Sequence, residues 1–246
     1  MANETTMDRL YEMRLSQLAR AYRDQESDSS YLDMGFDERL SLLVDAEWDA
    51  RRINKRTKLL RSAGFSVHEA NMADIRYDAD RNLDKGKIED LAKCKWVRDG
   101  LNLIITGATG AGKSWLSCAF GVCACNQFYS VKYVRLPQLL GDLALAREMN
   151  ELKKWQKRYM KCDLLIIDDW LIVNLEEREA RDVLEIIEAR HTLQSTVLCS
   201  QYAPGGWHAR LGDGAIADAV IDRLVYNSHA IHIEGDESMR KRTSKL

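Results

Sequence analysis

Beyond position 96, apolar residues come in short unbroken runs, each followed by a longer stretch whose apolar positions recur every three or four residues. A short solid run suits a strand buried on both faces, and the longer period suits a helix that covers it. The alternation therefore predicts a parallel α/β sheet. Strands are predicted at Asn102 to Thr106, Val131 to Arg135, Leu164 to Asp168, Thr196 to Ser200 and Ala230 to Ile233. Helices are predicted at about 113–127, 137–160 with a break near Asn150, 176–193 and 215–226. Nearer the N-terminus the pattern is helical throughout. Leu10, Met13, Leu18 and Ala21 share near-helical spacing within 6–23, Ser27 to Ser30 is a polar break, and a second helix begins at Phe36 and runs to about Arg61. The pattern divides the chain into an N-terminal helical domain (1–70), a linker (71–95) and a sheet-bearing domain (96–246).

The turn between the first strand and the helix after it carries the strongest chemistry. Gly107-Ala108-Thr109-Gly110-Ala111-Gly112-Lys113-Ser114, with Trp115 next, is a complete Walker A loop in strand-to-helix context. Its glycines let several N–H groups converge on phosphate oxygens at a helix N-terminus, where the dipole favours an anion. Lys113 is expected to reach the β and γ phosphates of ATP, and the Ser114 hydroxyl to hold Mg²⁺.

The run Leu164 to Ile167 ends in two carboxylates, Asp168 and Asp169. At the end of a buried strand, Asp168 suits Mg²⁺, while Asp169 can orient and deprotonate an attacking water, which favours ATP hydrolysis over phosphate transfer to a metabolite. A strand that follows the acid-bearing one fits the P-loop ATPases in which it slots between the other two catalytic strands, giving the order 5-1-4-3-2. Ser200, with Gln201, then occupies the place of a polar γ-phosphate sensor, although ordinary strand-end polarity accounts for both residues as well. Little chain follows Ile233, so no C-terminal helical lid is expected and another subunit is the candidate to complete the site. Arg223, on the largely apolar helix from Ala215, is then either an arginine finger supplied in trans or the partner of Asp218, Asp222 or Glu234 in its own chain.

Composition narrows the partners. With 246 residues, 46% of them hydrophobic, and a formal net charge of −2, the chain can bury a sizeable core but has no globally basic coat. DNA contact must come from local clusters. Arg51, Arg52, Lys55, Arg56, Lys58 and Arg61 follow one another without an interrupting acid. At ~100° per residue Arg51, Lys55 and Lys58 share a stripe with Ile53 and Leu60 opposite, a cationic face for phosphates. A second basic patch lies at Arg240-Lys241-Arg242 and Lys245, where disorder is the default. The six cysteines form no CxxC pair, and neither a signal peptide nor a membrane-spanning run is visible, so a cytoplasmic protein with buried, reduced thiols is expected.

Several blocks carry a family resemblance: FDERLSLLVDAEWDARR at Phe36 to Arg52, LAKCKWVRDGLNLIITGATGAGKS at Leu91 to Ser114, LLIIDDW at Leu164 to Trp170, and DRLVYNSHAIHI with GDESMRKR near the C-terminus. The chain resembles the IstB-type ATP-binding proteins, helper ATPases of insertion-sequence transposition related to the DnaC helicase loaders in the AAA+ class. The resemblance implies a protein that binds ATP, forms a homo-oligomer with composite intersubunit ATP sites on duplex DNA and stimulates a partner transposase; weak sequence selectivity is expected because no base-reading signature appears in the chain. By motif it gives phosphate binding to Gly107 through Ser114, metal and water handling to Asp168 and Asp169, and the intersubunit arginine to Arg223. One departure matters. The second acid is usually Glu in AAA+ proteins, and the shorter Asp169 retracts the carboxylate by roughly one bond length, which implies slow turnover. A helicase loader is the alternative reading. A metabolic P-loop kinase and a non-hydrolysing DNA clamp belong to other classes.

Overall fold

The computed structural model describes residues 4–235, 238, 239 and 241. Two units divide the chain, one over Met1–Lys58 and one over Leu59–Leu246.

The second unit is built on five parallel strands: β1 (Asn102–Gly107), β2 (Val131–Arg135), β3 (Leu164–Asp168), β4 (Ser195–Ser200) and β5 (Ser228–Ile233). Their spatial order is β2-β3-β4-β1-β5, the predicted order read from the other edge. Alternation along each strand feeds two cores. Leu103, Ile105, Leu164, Ile166, Val197 and Cys199 face one, and Ile104, Leu165, Ile167 and Leu198 face the other. The helices that cover the sheet arise where the apolar period is longer: α6 (Lys113–Asn126), α7 (Leu136–Glu148), α8 (Leu152–Met160), α9 (Glu177–Arg190) and α10 (Gly214–Val225). The predicted break falls between α7 and α8, where Asn150 takes a left-handed conformation (φ 57°).

Buried Asn102 ties three elements at the start of β1. Its Oδ1 accepts the Thr196 N–H at 2.9 Å, and its Nδ2 donates to the carbonyls of Arg223 and Leu224 at the end of α10. The segment predicted as a linker contributes α4 (Lys85–Ala92), and α5 (Lys95–Arg98) follows it. Ile88 and Leu91, with Ala63, Phe65 and Ala70 before them, are buried in the core on the α6 side of the sheet. Phe65 lies where a side chain at Gly121 of α6 would stand, so the glycine admits the ring.

In the first unit, the predicted 6–23 helix is two, α1 (Glu4–Glu12) and α2 (Ser16–Ser27), because Arg14 turns left-handed (φ 58°) between them. The long helix α3 (Phe36–Ala63) begins in this unit, and its residues from Leu59 on belong to the second. Glu47 on it reaches the N-terminus of α2, where its Oε2 accepts the Gln17 and Leu18 N–H groups at 2.9 and 3.2 Å. These are donors that a helix leaves unsatisfied, and a carboxylate there meets the positive end of the dipole.

Candidate nucleotide site

The Walker A loop leaves β1 at Gly107 and enters α6 at Lys113. Gly107 lies beside Ile233 in the β1–β5 ladder, and any Cβ would strike the Ile233 carbonyl, so the strand can close on its neighbour only with glycine here. The Lys113 Nζ donates to the carbonyls of Gly107 and Ala108, each at 2.8 Å. Burial lowers the pKa of its ammonium, an effect that Cys199, Asp168 and Asp169 partly oppose.

Asp168 ends β3 almost fully buried, with both carboxylate oxygens engaged. The Tyr133 hydroxyl donates to Oδ2 at 2.6 Å, and the Asp169 N–H donates to Oδ1 at 2.9 Å. Burial and the hydrogen bond to Asp168 push the Tyr133 phenol far above its usual pKa, so it remains a donor. Asp169 adopts a left-handed backbone (φ 52°) and meets Arg135 from the end of β2, Nε to Oδ2 2.5 Å. Non-glycine residues rarely take that conformation, and here the tightly packed turn imposes it: Trp170 donates its N–H to the Cys199 carbonyl and stacks edge-on against Trp207.

These residues converge on one cavity of about 620 Å³, within the usual range for small-ligand sites. Its lining includes Thr109, Gly110, Gly112, Lys113, Ser114, Asp168 and Asp169. Val67, Ile75, Leu83, Trp115 and Leu116 line it as well, together with Glu69, Asp74, Arg76 and Arg81. Sequence reasoning named Trp115 here but missed the lining residues between Val67 and Leu83. They lie in a stretch with few periodic signals, and only the return of the chain over the Walker loop brings them in. Ser200 is fully buried: its hydroxyl donates to the Trp170 carbonyl at 3.0 Å and accepts the Tyr202 N–H at 3.1 Å, while its neighbour Gln201 lines the cavity.

Arg223 is not brought to this cavity in its own chain. Its carbonyl is bonded to Asn102 at the start of β1, whereas the Walker loop leaves the other end of that strand. Its Nε lies 2.6 Å from Glu188 Oε2, not from Asp218, Asp222 or Glu234. The Nε–H is not aimed along that contact, so this is an ion pair without a hydrogen bond there; Nη1 donates to the Ala219 carbonyl.

All six basic residues from Arg51 to Arg61 are exposed along α3. Arg51 bonds Glu47 and the Arg14 carbonyl, and Arg52 lies over the Trp48 ring. Ile53, expected on a packing face, is exposed too. Of the C-terminal basic patch only Lys241 is among the described residues; Arg240, Arg242 and Lys245 lie outside them. The six thiols are free, and all but Cys123 are buried, with burial pushing Cys94 and Cys125 up to about 12. Among the described residues no His, Cys, Asp and Glu cluster could hold a metal unaided, and no helix is long and apolar enough to cross a membrane.

The sequence pattern of the IstB-like ATP binding protein family matches residues 8–246. A Sinorhizobium fredii protein named as an insertion sequence ATP-binding protein, y4pL, is 37% identical over 245 residues, covering 100% of both chains. The Pseudomonas fluorescens protein named for insertion sequence IS1162 and ATP binding is 37% identical over 201 residues, 82% of this chain and 87% of that one. Among solved structures, a DnaC helicase loader superposes with TM-score 0.58 at 18% identity, covering 67% of this chain and 97% of that one. AMPPCP-bound DnaA from Aquifex aeolicus gives TM-score 0.58 at 21% identity over 70% of this chain, which spans only 52% of the DnaA chain. These likenesses place the sheet and its helices in the AAA+ P-loop fold.

Proposed function

Because the chain belongs to the IstB-like ATP-binding protein family, we propose that it is an ATP-hydrolysing, DNA-binding protein that oligomerises on duplex DNA and assists the transposase of an insertion sequence. The observation that carries this reading is the convergence of Lys113, Ser114, Asp168 and Asp169 on a single cavity that Val67, Ile75, Leu83 and Trp115 also line, since a nucleotide needs a cationic cradle for phosphates and less polar side chains for its base. The names of the relatives that cover most of the chain supply the insertion-sequence context.

In this mechanism the loop from Gly107 to Ser114, with Trp115, holds the phosphates, and Lys113 exchanges its carbonyl partners for phosphate oxygens. A buried carboxylate and an adjacent hydroxyl are a donor set suited to a hard divalent ion, so Ser114 and Asp168 would hold Mg²⁺, whose contribution is to neutralise phosphate charge. Asp169 orients a water that attacks the γ-phosphorus and takes its proton as the bond to the bridging oxygen breaks, leaving ADP and phosphate. The short carboxylate and its Arg135 partner make this step slow, so that ATP serves as an assembly switch. Gln201 takes the sensing position beside Ser200. Arg223, remote from its own cavity, closes over a neighbour's γ-phosphate, and repetition of α3 along DNA turns weak phosphate contacts into stable binding.

Electron microscopy of the protein with long duplex DNA in ATP, ADP or no nucleotide tests the reading. Wild type is expected to assemble on DNA with ATP, and Lys113→Ala to fail. Single particles in every condition would overturn it. The helicase-loader alternative predicts capture of a replicative helicase instead of a transposase in a pull-down.

A further inference from the structure

One buried cation at the cavity belongs to neither Walker motif. Arg81 is 6% exposed and ends a short 3-10 turn (Ala79–Arg81), after which Asn82 turns left-handed (φ 48°). Its Nη2 donates to the Ala111 carbonyl inside the Walker A loop at 3.0 Å, and its Nη1 to the Arg76 carbonyl at 2.5 Å. The backbone holds the other end of the residue in place: the Arg81 carbonyl accepts the Glu234 N–H at 3.2 Å, and Asn82 Nδ2 donates to Glu234 Oε1 at 2.9 Å. A guanidinium fixed in this way is a rigid donor aimed at one carbonyl of the phosphate loop.

That carbonyl belongs to the peptide plane that leads into a glycine, Gly112. Reorienting the Ala111–Gly112 plane changes mainly ψ of Ala111 and φ of Gly112, and glycine, here at φ 97°, puts no steric wall against rotation. A planar trans peptide points its C=O and N–H in opposite directions. Holding the Ala111 carbonyl on Arg81 therefore turns the Gly112 N–H away from the guanidinium, and a cradle for an anion requires its N–H groups to be turned together. A Cβ on Gly112 would stand 3.1 Å from Nη2, so the guanidinium would have to shift by a few tenths of an ångström to admit one.

We infer that Arg81 is a positioning residue that presets the Ala111–Gly112 peptide and thereby sets the affinity of the loop for the phosphate chain. The inference rests on the nucleotide-binding reading above. It assigns a function to the stretch before β1 that holds Arg81, whose side chain links the segment at Arg76 to the loop.

Calorimetric titration of wild type, Arg81→Lys and Arg81→Met with ADP, pyrophosphate and adenosine tests it, together with the amide resonance of ¹⁵N-labelled Gly112. Loss of one charge-assisted hydrogen bond predicts about tenfold weaker ADP and pyrophosphate binding by Arg81→Met. Adenosine binding is expected to be unchanged, the Gly112 resonance to be displaced before ligand is added, and Arg81→Lys to recover part of the affinity. Wild-type pyrophosphate affinity in Arg81→Met, or an equal loss for adenosine, would overturn the inference. If Arg81→Met does not fold, Arg81→Lys decides, because a shorter side chain with a single nitrogen cannot reproduce the fixed fork in which Nη1 and Nη2 hold separate carbonyls: an undisplaced Gly112 resonance with undiminished pyrophosphate affinity overturns it. Failure of wild type itself to bind ADP would instead remove the nucleotide reading.

Discussion

The Tyr133 hydroxyl and Asp168 Oδ2 are 2.6 Å apart in the buried register between β2 and β3, so the phenol of one strand orients the carboxylate of the next. Tyr133→Phe removes the donor and keeps the ring. A hydrogen bond to a charged group contributes about 1.5–3 kcal/mol, so hydrolysis is expected to fall roughly tenfold at fixed Mg²⁺. ADP affinity without Mg²⁺ should hold, which calorimetry in EDTA checks. Equal loss in both conditions would show that the tyrosine supports the fold and not the carboxylate.

Arg135 donates to Asp169 Oδ2 and so, in the proposed mechanism, competes with the attacking water for that carboxylate. Arg135→Gln is expected to raise basal phosphate release by about threefold to tenfold, and Asp169→Asn to abolish it, on the general acid–base scale. Phosphate-release assays with and without DNA measure both. Unchanged release by Asp169→Asn would place the base elsewhere.

The basic residues of α3 should separate into two behaviours. Arg51 bonds Glu47 and the Arg14 carbonyl, so Arg51→Gln is expected to lower the melting temperature as well as DNA affinity. Arg56→Gln with Lys58→Gln should leave stability and ADP binding intact while reducing the slope of log K against log salt by about 0.9 for each phosphate no longer neutralised. Fluorescence anisotropy at several salt concentrations reads the slope. An unaltered slope would remove this face from the DNA interface.

His208 bridges Asp213 and Asp218, Nδ1 to Oδ1 2.7 Å and Nε2 to Oδ1 3.0 Å, and its pKa is raised by those hydrogen bonds. A raised folded-state pKa gives stability that is fully present below the unfolded value near 6.5 and is lost as pH climbs through the folded value. The melting temperature should therefore fall slightly across that window, and His208→Asn should flatten the fall. Because the ring is exposed, the effect is expected to be small.

Much of the second unit was legible because its strands are buried on both faces and its helices on one, and burial writes those two periods directly into the chain. Leu103 to Ile105 and Leu164 to Ile167 could hardly be anything else, and Asn150 marked the break between α7 and α8. The Walker residues were legible for a different reason: phosphate chemistry needs those residue types at fixed local spacing, and local spacing survives in one dimension.

Local spacing did not reveal pairings across the fold. Tyr133 and Asp168 are 35 positions apart, and Arg81 and Ala111 are 30 apart. Each meets its partner only because the parallel register aligns β2 with β3, or because the chain before β1 folds back over the phosphate loop. The tertiary structure also showed that Ser200 spends its hydroxyl inside the core while Gln201 reaches the cavity, and that Arg223 pairs with Glu188. By itself the sequence determined the strands and the Walker loop that follows the first of them, since both are written in neighbouring residues, and the likeness of that pattern to P-loop ATPases gave the order of the sheet. Which side chains hold that loop and its acids in position was decided by packing between segments far apart in the chain, where no local period or motif records the contact.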